Sequence, residues 1–427
     1  MPGHKGASFL GCEWADITEI LGADELYCAT GVIAESERMA SRIFGTACTK
    51  YSCEGSSLSI RAMLYLALLY AKKEGKSQRI LAARSAHKAF MCACALLDID
   101  IEWLWDDGSS DILSCEVSAD GLCACLDSMS ELPCAVYITS PDYLGHIADI
   151  RALSEVCRRR GVLLLCDNAH GAYLNFTSQK RHPIALGADI CCDSAHKTLP
   201  VLTGGGYLHV SRDAPEICTG GVECAMSLFA STSPSYLILQ SLDMANAYLA
   251  DGYEGRLAVF EEKCGMLRGA LVSHGYKIVS DESLKITIDA KCFGYLGTEM
   301  SDILRTHGIE CEFSDPDYIV LMLTPENTDV DLDRIRTALL SLEKRPLISE
   351  RMPKMKRPVR VMSAMDAMSS VFCEVDVSES VGRILAQPGV SCPPAIPVVV
   401  CGERIDESAR DVLLYYGIER CRVVADK

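Results

Sequence analysis

The segment IRALSEVCRRRGVLLLC, residues 150–166, joins a helical pattern to a short apolar run and so indicates the fold. Its helical part ends in three arginines before Gly161, and both cations and glycine are favoured where a helix ends. Its last five residues have the length and apolar character of a buried strand. Similar apolar runs at 79–83, 135–139 and 189–192 alternate with helical segments. This alternation predicts an α/β domain with a mainly parallel sheet covered by helices.

Composition narrows the class of protein. The chain has 427 residues, which is enough for a large catalytic domain and one or two smaller ones. No apolar run approaches the roughly 18 residues of a membrane helix, and the N-terminus lacks the apolar core of a secretory signal. A net charge of -17 disfavours binding to phosphate backbones. We therefore expect a cytoplasmic protein with neither a membrane nor a nucleic acid as partner.

The 23 cysteines are spread along the whole chain, and they never occur as C-x-x-C. Zinc sites commonly use that spacing, whereas the chain has only C-x-C pairs, such as Cys92 and Cys94. Most of these cysteines are expected to be small buried apolar residues in a reducing compartment. The sequence therefore predicts no metal site.

Polar residues follow each apolar run of the predicted sheet. In such sheets, ligands bind beyond the carboxyl ends of the strands. The residues in question are His87, Tyr143, Asp167, His170, Ser194, His196 and Lys197. Taken alone, each has an ordinary structural explanation; a single histidine is commonly a core or surface residue. Their joint placement predicts a site in which Lys197 is an amine suited to holding an aldehyde cofactor.

A second signal lies upstream, where Gly55, Ser56 and Ser57 precede a helical pattern that ends at Gly75. This order predicts a glycine turn leading into a serine-capped helix start. Free backbone N–H groups and the helix dipole make such a start an anion site, although a plain N-cap has the same appearance.

Pyridoxal phosphate would account for these features together. Its aldehyde suits Lys197, its phosphate suits residues 55–57 and Ser194, its ring nitrogen suits Asp167, and its flat ring suits stacking by His87. An aspartate beside the ring nitrogen keeps that nitrogen protonated, which favours carbanion chemistry.

Several motifs resemble those of the Orn/Lys/Arg decarboxylase family of fold-type I pyridoxal-phosphate enzymes, over essentially the whole chain. The motifs are PGHKG (2–6), DITE (16–19), SAHK (85–88), TSPDY (139–143), DNAHG (167–171), SAHKTLP (194–200) and STSPSY (231–236). The resemblance implies decarboxylation of lysine, ornithine or arginine to a diamine or agmatine, in polyamine biosynthesis. It also implies the short form of the family, without the amino-terminal receiver-like domain.

The resemblance assigns roles to individual residues. Lys197 would hold the cofactor aldehyde, Asp167 would pair with the ring nitrogen, and His87 would stack on the ring. Ala169 would pack beneath the ring, and His170 would lie near the reacting carbon, where it or Lys197 could return a proton. The implied phosphate contacts are Gly55, Ser56, Ser57, Ser194 and His196, with Thr232 and Ser233 reaching a neighbouring subunit. The resemblance therefore implies a homodimer in which each active site is shared between the two subunits.

The distal cationic group of the substrate calls for an acidic side chain. Glu403, Glu312 and Asp315 are the candidates, although Glu403 is equally compatible with an exposed turn. One departure from the family pattern is Glu54, where relatives commonly have asparagine or threonine. Another is that the chain begins inside the PGHK motif.

The predicted domains are an N-terminal arm (1–30), a large cofactor-binding domain (31–250), a small α+β domain (251–345), a linker (346–360) and a C-terminal α+β domain (361–427). The small domain is expected to contain helices at 256–274, 297–307 and 331–342, with strands at 285–290, 309–313 and 318–323. The linker is basic and contains prolines.

Two alternatives remain open on the same fold. One is a different pyridoxal-phosphate reaction, such as transamination or β-elimination, although no carboxylate-clamp arginine of the aminotransferase type is evident. The other is a catalytically inactive cofactor-binding partner protein. The presence of Lys197, Asp167 and His87 together argues against the second alternative.

Overall fold

The computed structural model describes residues 2–105, 117–392 and 396–425. The chain falls into two compact units, each made of segments that are separate in sequence. The first contains Met1–Ala82, Ser118–Ser140 and Asp149–Arg256, and the second contains Ala83–Val117, Pro141–Ala148 and Leu257–Lys427. The five domain ranges expected from the sequence stay a prediction.

The α-helices of the described residues are numbered in chain order. They are α1 Val32–Phe44, α2 Gly55–Glu74, α3 Lys88–Leu96, α4 Ala119–Ser128, α5 Ile150–Arg159, α6 Ala195–Thr198, α7 Glu216–Phe229, α8 Tyr236–Ala250, α9 Tyr253–His274, α10 Gly297–Thr306, α11 Asp329–Leu340, α12 Ala364–Ser369 and α13 Glu407–Tyr415. None of the described helices is both long enough and apolar enough to cross a membrane.

The strands are numbered in the same way. They are β1 Cys48–Ser52, β2 Arg79–Ala83, β3 Asp100–Leu104, β4 Ala135–Thr139, β5 Leu163–Asp167, β6 Ile190–Asp193, β7 Gly206–Val210, β8 Lys277–Ile278, β9 Lys285–Asp289, β10 Phe313–Ser314, β11 Tyr318–Met322, β12 Val359–Arg360, β13 Phe372–Asp376, β14 Gly389–Cys392, β15 Ile396–Val400, β16 Glu403–Arg404 and β17 Arg420–Val424.

The first unit is built on a mainly parallel sheet, which confirms the predicted fold class. Its strands lie in the order β1-β7-β6-β5-β4-β2. Strands β2, β4, β5 and β6 run parallel, while β7 and β1 are antiparallel to their neighbours. The parallel strands are apolar and buried because helices cover such sheets on both faces. Their carboxyl ends therefore meet at one edge of the sheet.

Two strands begin and end one residue later than predicted. Strand β5 ends at Asp167, and β6 ends at Asp193, so each finishes in a buried aspartate. The register places Asp167 level with Thr139 on one side and with Cys192 on the other. An aspartate can end a buried strand when hydrogen-bond donors surround its carboxylate.

Helix α2 also begins differently from the prediction. Its N-cap is Glu54, whose side chain makes no capping hydrogen bond, and the helix starts at Gly55. Ser56 and Ser57 lie within the first turn, so the expected serine cap is wrong. Gly55 has a φ of 64°, a left-handed conformation that favours glycine at this abrupt start.

The second unit contains a four-stranded antiparallel sheet in the order β10-β11-β9-β8, together with helices α10 and α11. Three two-stranded sheets follow, in which β12 pairs with β16, β13 with β17, and β14 with β15. A hydrophobic core joins Phe313 and Val320 to C-terminal residues such as Val399, Val412 and Val423.

The predicted strand at 309–313 is reduced to Phe313–Ser314. Gly308 has a φ of 70°, so the chain leaves α10 through a turn, and only Glu312 then donates its N–H to Val320. The helix predicted at 256–274 begins three residues earlier, at Tyr253, and that predicted at 331–342 spans Asp329–Leu340.

Candidate active site

Lys197 lies in the short helix α6, directly after strand β6. Its Nζ is 2.9 Å from Nε2 of His170, which follows the neighbouring strand β5. His170 is buried, and Lys197 is half-buried. At that distance the amine and the imidazole share a proton, since one nitrogen must donate and the other accept. The structure thus brings together two groups that can move a proton.

Asp167 ends strand β5 and is 1% exposed. Its Oδ2 accepts a hydrogen bond of 3.0 Å from the Tyr137 hydroxyl, and its Oδ1 accepts one of 3.2 Å from the Ala169 N–H. Burial and the neighbouring Asp167 raise the pKa of Tyr137 well above its ordinary value, so this phenol stays a donor. These donors are neutral, so they stabilise the carboxylate without cancelling its charge.

Two loops form a cradle of polar groups at the start of helix α2. The hydroxyls of Ser56 and Ser194 are 2.9 Å apart. The Gly55 N–H donates to the Gly204 carbonyl at 2.7 Å, and the ring of His196 donates from Nδ1 to the Gly205 carbonyl at 2.8 Å. These bonds fix the hydroxyls and the imidazole around one helix start.

The N–H groups in the first turn of α2 have no side-chain cap. Gly206 lets the backbone come close here, because a Cβ at that position would lie 2.9 Å from the Asp193 carbonyl oxygen and 3.1 Å from the Gly55 carbonyl carbon. Uncapped N–H groups at the positive end of a 20-residue helix, with two hydroxyls beside them, suit a phosphate.

The STSPSY segment is anchored to this loop by Glu54. The Ser231 N–H donates to Glu54 Oε1 at 2.8 Å, and the Ser233 N–H donates to Ser231 Oγ at 3.1 Å. Thr232 and Ser233 are exposed. The departure from the family pattern at Glu54 therefore has a structural role that sequence reasoning missed. Contact of Thr232 and Ser233 with a neighbouring subunit stays a prediction.

Five of the predicted site residues belong to the second unit, namely His87, Tyr143, Glu312, Asp315 and Glu403. His87 is the N-cap of helix α3, where its Nδ1 accepts the Ala89 N–H at 3.2 Å. Glu312 is exposed. Asp315 is buried, and its Oδ1 accepts the N–H groups of Asp317 and Tyr318 in the turn between β10 and β11. The stacking role of His87 stays a prediction.

The exposed turn considered for Glu403 is wrong, whereas its contact with the distal group of the substrate stays a prediction. Glu403 is 1% exposed, so it does not lie on an exposed turn. Its two oxygens accept hydrogen bonds of 2.8 and 2.7 Å from Arg84, and Oε2 also accepts the Val400 N–H. Two of these three hydrogen bonds come from a guanidinium, whose charge cancels the negative charge that would attract a substrate amine. Part of the proline-rich motif that suggested Glu403, residues 393–395, lies outside the described residues.

Sequence reasoning also missed Tyr137, Asn168 and Asp193. Asn168 donates to Asp193 at 2.6 Å, and Asp193 in turn contacts two buried histidines. For Asn168 and Asp193 the available signal was a polar residue next to a predicted site residue, since Asn168 follows Asp167 and Asp193 precedes Ser194. It could not be interpreted without knowing that strands β5 and β6 are neighbours.

A lysine and an aspartate at the carboxyl ends of a mainly parallel sheet, beside a helix start suited to phosphate, define the class of fold-type I pyridoxal-phosphate enzymes. The groups present fit the cofactor: a half-buried amine, a buried carboxylate with neutral donors, and uncapped N–H groups. Residues 8–262 match the model of the Orn/Lys/Arg decarboxylase major domain, and residues 348–420 match that of its C-terminal domain. The chain belongs to the Orn/Lys/Arg decarboxylase family.

Similar proteins agree with this membership. The "Uncharacterized protein YaaO" of Bacillus subtilis is 29% identical over 92% of this chain and 84% of its own length. An arginine decarboxylase of Halalkalibacterium halodurans is 28% identical, over 96% of this chain and 88% of its own. The chain is accordingly a pyridoxal-phosphate-dependent decarboxylase of a basic amino acid.

Solved structures with the same fold include the lysine decarboxylase LdcF of Francisella novicida, with a TM-score of 0.80 and 16% identity. That alignment covers 100% of this chain and 78% of the other. The constitutive lysine decarboxylase of E. coli has a TM-score of 0.75 and 17% identity, covering 100% and 79%. At these identities the likeness establishes the fold alone.

Proposed function

We propose that Lys197 holds pyridoxal phosphate through its Nζ, that Asp167 faces the ring nitrogen, and that arginine is the substrate. The observation that carries the assignment is the 2.9 Å approach of Lys197 Nζ to His170 Nε2 at the same sheet edge as Asp167. When bound, pyridoxal phosphate supplies an electron-withdrawing ring that accepts the electron pair left by the departing carboxylate.

Asp167 keeps the ring nitrogen protonated. Its charge is held by Tyr137 and the Ala169 N–H, and these donors leave the carboxylate negative. A negative carboxylate in a buried site favours a proton on a nitrogen beside it.

Lys197 and His170 handle the proton that replaces the carboxylate. With the amino acid bound, the Lys197 amine would lie next to an imidazole that can take up or release a proton. Because His170 is buried, water has limited access to this pair. His170 would therefore hold the proton, and either Lys197 or His170 would deliver it.

The phosphate is held by the start of α2. First-turn N–H groups, the hydroxyls of Ser56 and Ser194, and the ring of His196 surround the proposed position. Ser57, in the same first turn, supplies a further hydroxyl. This set supports anchoring of the cofactor by its phosphate.

Arginine is proposed because curated relatives named arginine decarboxylase match 91–96% of this chain at 24–28% identity. Of the three acidic residues suggested by the sequence, Glu312 is the best candidate to bind the distal cationic group of the substrate. Its side chain is exposed, whereas Asp315 holds a turn and Glu403 pairs with Arg84.

We further propose a cytoplasmic homodimer that contributes to polyamine biosynthesis, with Thr232 and Ser233 reaching the partner subunit. The exposure of both side chains supports that reach. Light scattering of the purified protein at several concentrations tests the dimer, and a monomer with full activity would reject it.

The function is tested by colour and by products. The purified protein with added pyridoxal phosphate should be yellow, and borohydride should fix the cofactor to wild type but not to Lys197→Ala. Carbon dioxide and agmatine should form from arginine; cadaverine from lysine or putrescine from ornithine would change the substrate. Formation of a keto acid, or no uptake of cofactor, would reject the proposal.

A further inference from the structure

A buried side-chain hydrogen bond links the two loops of the candidate site, beside the backbone bond from the Asn168 N–H to the Cys192 carbonyl. Asn168 Nδ2 donates to Asp193 Oδ1 at 2.6 Å, and both residues are fully buried. Asn168 lies between Asp167 and Ala169, while Asp193 directly precedes Ser194. The bond therefore connects two segments. One leads out of β5 and carries Asp167 and His170, and the other leads out of β6 and carries Lys197; they are called the Asp167 loop and the Lys197 loop.

Asp193 is held from its other side by two buried histidines. Its Oδ2 is 3.0 Å from Nε2 of His182 and 3.1 Å from Nε2 of His209. Burial alone would raise the pKa of the Asp193 carboxyl, but its interactions with the two imidazoles outweigh burial and lower it below the ordinary value. Asp193 is therefore an anion inside the unit.

Both histidines present Nε2 to Asp193 as a hydrogen-bond donor. His182 Nδ1 accepts the Ile184 N–H at 3.4 Å, so the proton of that ring sits on Nε2 and faces Asp193. His209 Nδ1 is 2.9 Å from the Thr49 hydroxyl, which can donate to it. Burial lowers the pKa of His209, although the neighbouring Asp193 acts in the opposite direction.

Two histidines and a carboxylate also have the composition of a metal site, and their ligand atoms lie within 4.8 Å of one another. A metal would need the lone pair of His182 Nε2, which carries a proton in this arrangement. The 3.0 and 3.1 Å separations are ordinary hydrogen-bond lengths. The geometry thus favours a hydrogen-bonded anion over a metal centre.

We propose that Asn168 and Asp193 are positioning residues, which fix the Asp167 loop against the Lys197 loop so that one cofactor meets both. His182 and His209 hold Asp193 in place for that purpose. This inference rests on the proposed roles of Asp167 and Lys197. It assigns a function in cofactor binding to residues that touch neither the cofactor nor the substrate.

Two substitutions break the connection differently. Asn168→Ala removes the donor and leaves Asp193 with its histidines. Asp193→Asn keeps the shape, but its amide must present an N–H group either to Asn168 Nδ2 or to the two histidine N–H groups. Either choice places two hydrogen-bond donors against each other, so Asp193→Asn should weaken cofactor binding more than Asn168→Ala does.

Asn246 on α8 provides a matched control. It is also a buried asparagine of the first unit, and its Nδ2 donates to Ser36 and Tyr51. In both asparagines, Oδ1 is buried with no hydrogen bond among the described residues. Asn246→Ala therefore removes a comparable group that does not join the cofactor loops.

The experiment compares wild type, Asn168→Ala, Asp193→Asn, the double variant and Asn246→Ala. It measures the Kd for pyridoxal phosphate, the pH titration of the visible band of the bound cofactor, and the Tm of the apo protein. We expect Asn168→Ala to weaken cofactor binding roughly tenfold, as for loss of one buried hydrogen bond, and to shift the titration. The double variant should be no weaker than Asp193→Asn.

Asn246→Ala should lower Tm but leave the Kd and the titration unchanged. If Asn168→Ala behaves in the same way, its role is structural and the inference is overturned. One bound transition metal per chain that Asp193→Asn removes would also overturn it. Wild type that takes up no cofactor would defeat the proposed function itself. Asn168→Ala decides the question alone if Asp193→Asn does not fold.

Discussion

Asp167 in the first unit and Glu403 in the second are both carboxylates of 1% exposure, yet their surroundings differ in charge. Asp167 accepts from a phenol and a backbone N–H, whereas Glu403 accepts two hydrogen bonds from the guanidinium of Arg84. Neutral donors leave a negative charge available to a cationic ligand, while a bidentate arginine cancels it. The partners of a buried carboxylate, more than its burial, separate a candidate catalytic group from a structural one.

The largest effect is expected at the Arg84–Glu403 pair. Glu403→Gln should lower the free energy of unfolding by about 3–5 kcal/mol, because it leaves the Arg84 cation buried without its counter-charge. Arg84 also lies against the rings of Trp103 and Trp105, which cannot replace a carboxylate. Denaturant unfolding measures the loss.

The double variant Arg84→Met/Glu403→Leu is the control, since it removes both charges and should recover much of the stability. The folded fraction of each variant should keep its kcat/KM. A kcat/KM that falls with Glu403→Gln in fully folded protein would support Glu403 as the group that binds the distal cation of the substrate and would remove the contrast with Asp167.

Asp167→Asn should lower kcat with little loss of stability, which is the opposite of the effect expected for Glu403→Gln. The amide cannot hold the ring nitrogen protonated, so kcat should fall roughly 10²- to 10³-fold, as for loss of other preorganised charges in active sites. Tm should change little, because the amide oxygen can still accept the Ala169 N–H while the amide NH2 group donates to the Tyr137 hydroxyl, which can rotate to accept it. Steady-state kinetics on arginine with saturating cofactor measures the effect, and an unchanged kcat would contradict the assigned role.

The same contrast shows what the sequence could predict. The cofactor residues follow short apolar runs, and local pattern places strands β2 and β4 with the correct bounds. The predicted strands β5 and β6 end one residue too early, because the aspartate that ends each strand does not continue an apolar run. Whether that aspartate can be buried depends on donors such as Tyr137, thirty residues away in sequence.

Glu403 could not be assigned from sequence for a related reason. Its partner Arg84 is separated from it by 319 positions, and nothing local to either residue indicates the pair. The roles of Asn168 and Asp193 depend in the same way on the adjacency of β5 and β6. Local pattern predicted the elements and the edge that carries the site, whereas the partners of buried charges required the folded chain.

Tyr137→Phe tests how much a neutral hydrogen-bond donor contributes to the proposed catalytic role of Asp167. It removes one hydrogen bond to the carboxylate, which is worth about 1 kcal/mol, so kcat/KM should fall roughly fivefold. Tyr207→Phe is the matched control, because this fully buried hydroxyl of strand β7 makes no hydrogen bond among the described residues. Equal kcat/KM losses in the two variants would show that Tyr137 acts through packing and not through Asp167.

The smallest effect is expected at Asp189, which precedes strand β6 as Asp193 ends it. Burial raises the pKa of Asp189 to about 6, although the Leu164 N–H donates to its Oδ2. A folded-state pKa above the unfolded value of roughly 3.9 means that stability is full below pH 4 and declines as pH rises through 6. Asp189→Asn, which keeps an acceptor for Leu164, should remove this decline.

The variant should therefore match wild type near pH 4 and exceed it by about 1 kcal/mol at pH 8, since partial exposure reduces the full linkage effect. The pH dependence of stability due to Asp193 has the opposite sign, because the pKa of Asp193 is lowered in the folded chain. Its contribution to stability therefore persists at pH 8. Unfolding free energies of both proteins across this range measure the difference. A constant offset at all pH values would mean that Asp189 has the same pKa in the folded and unfolded chains, so that burial at this strand start does not raise it.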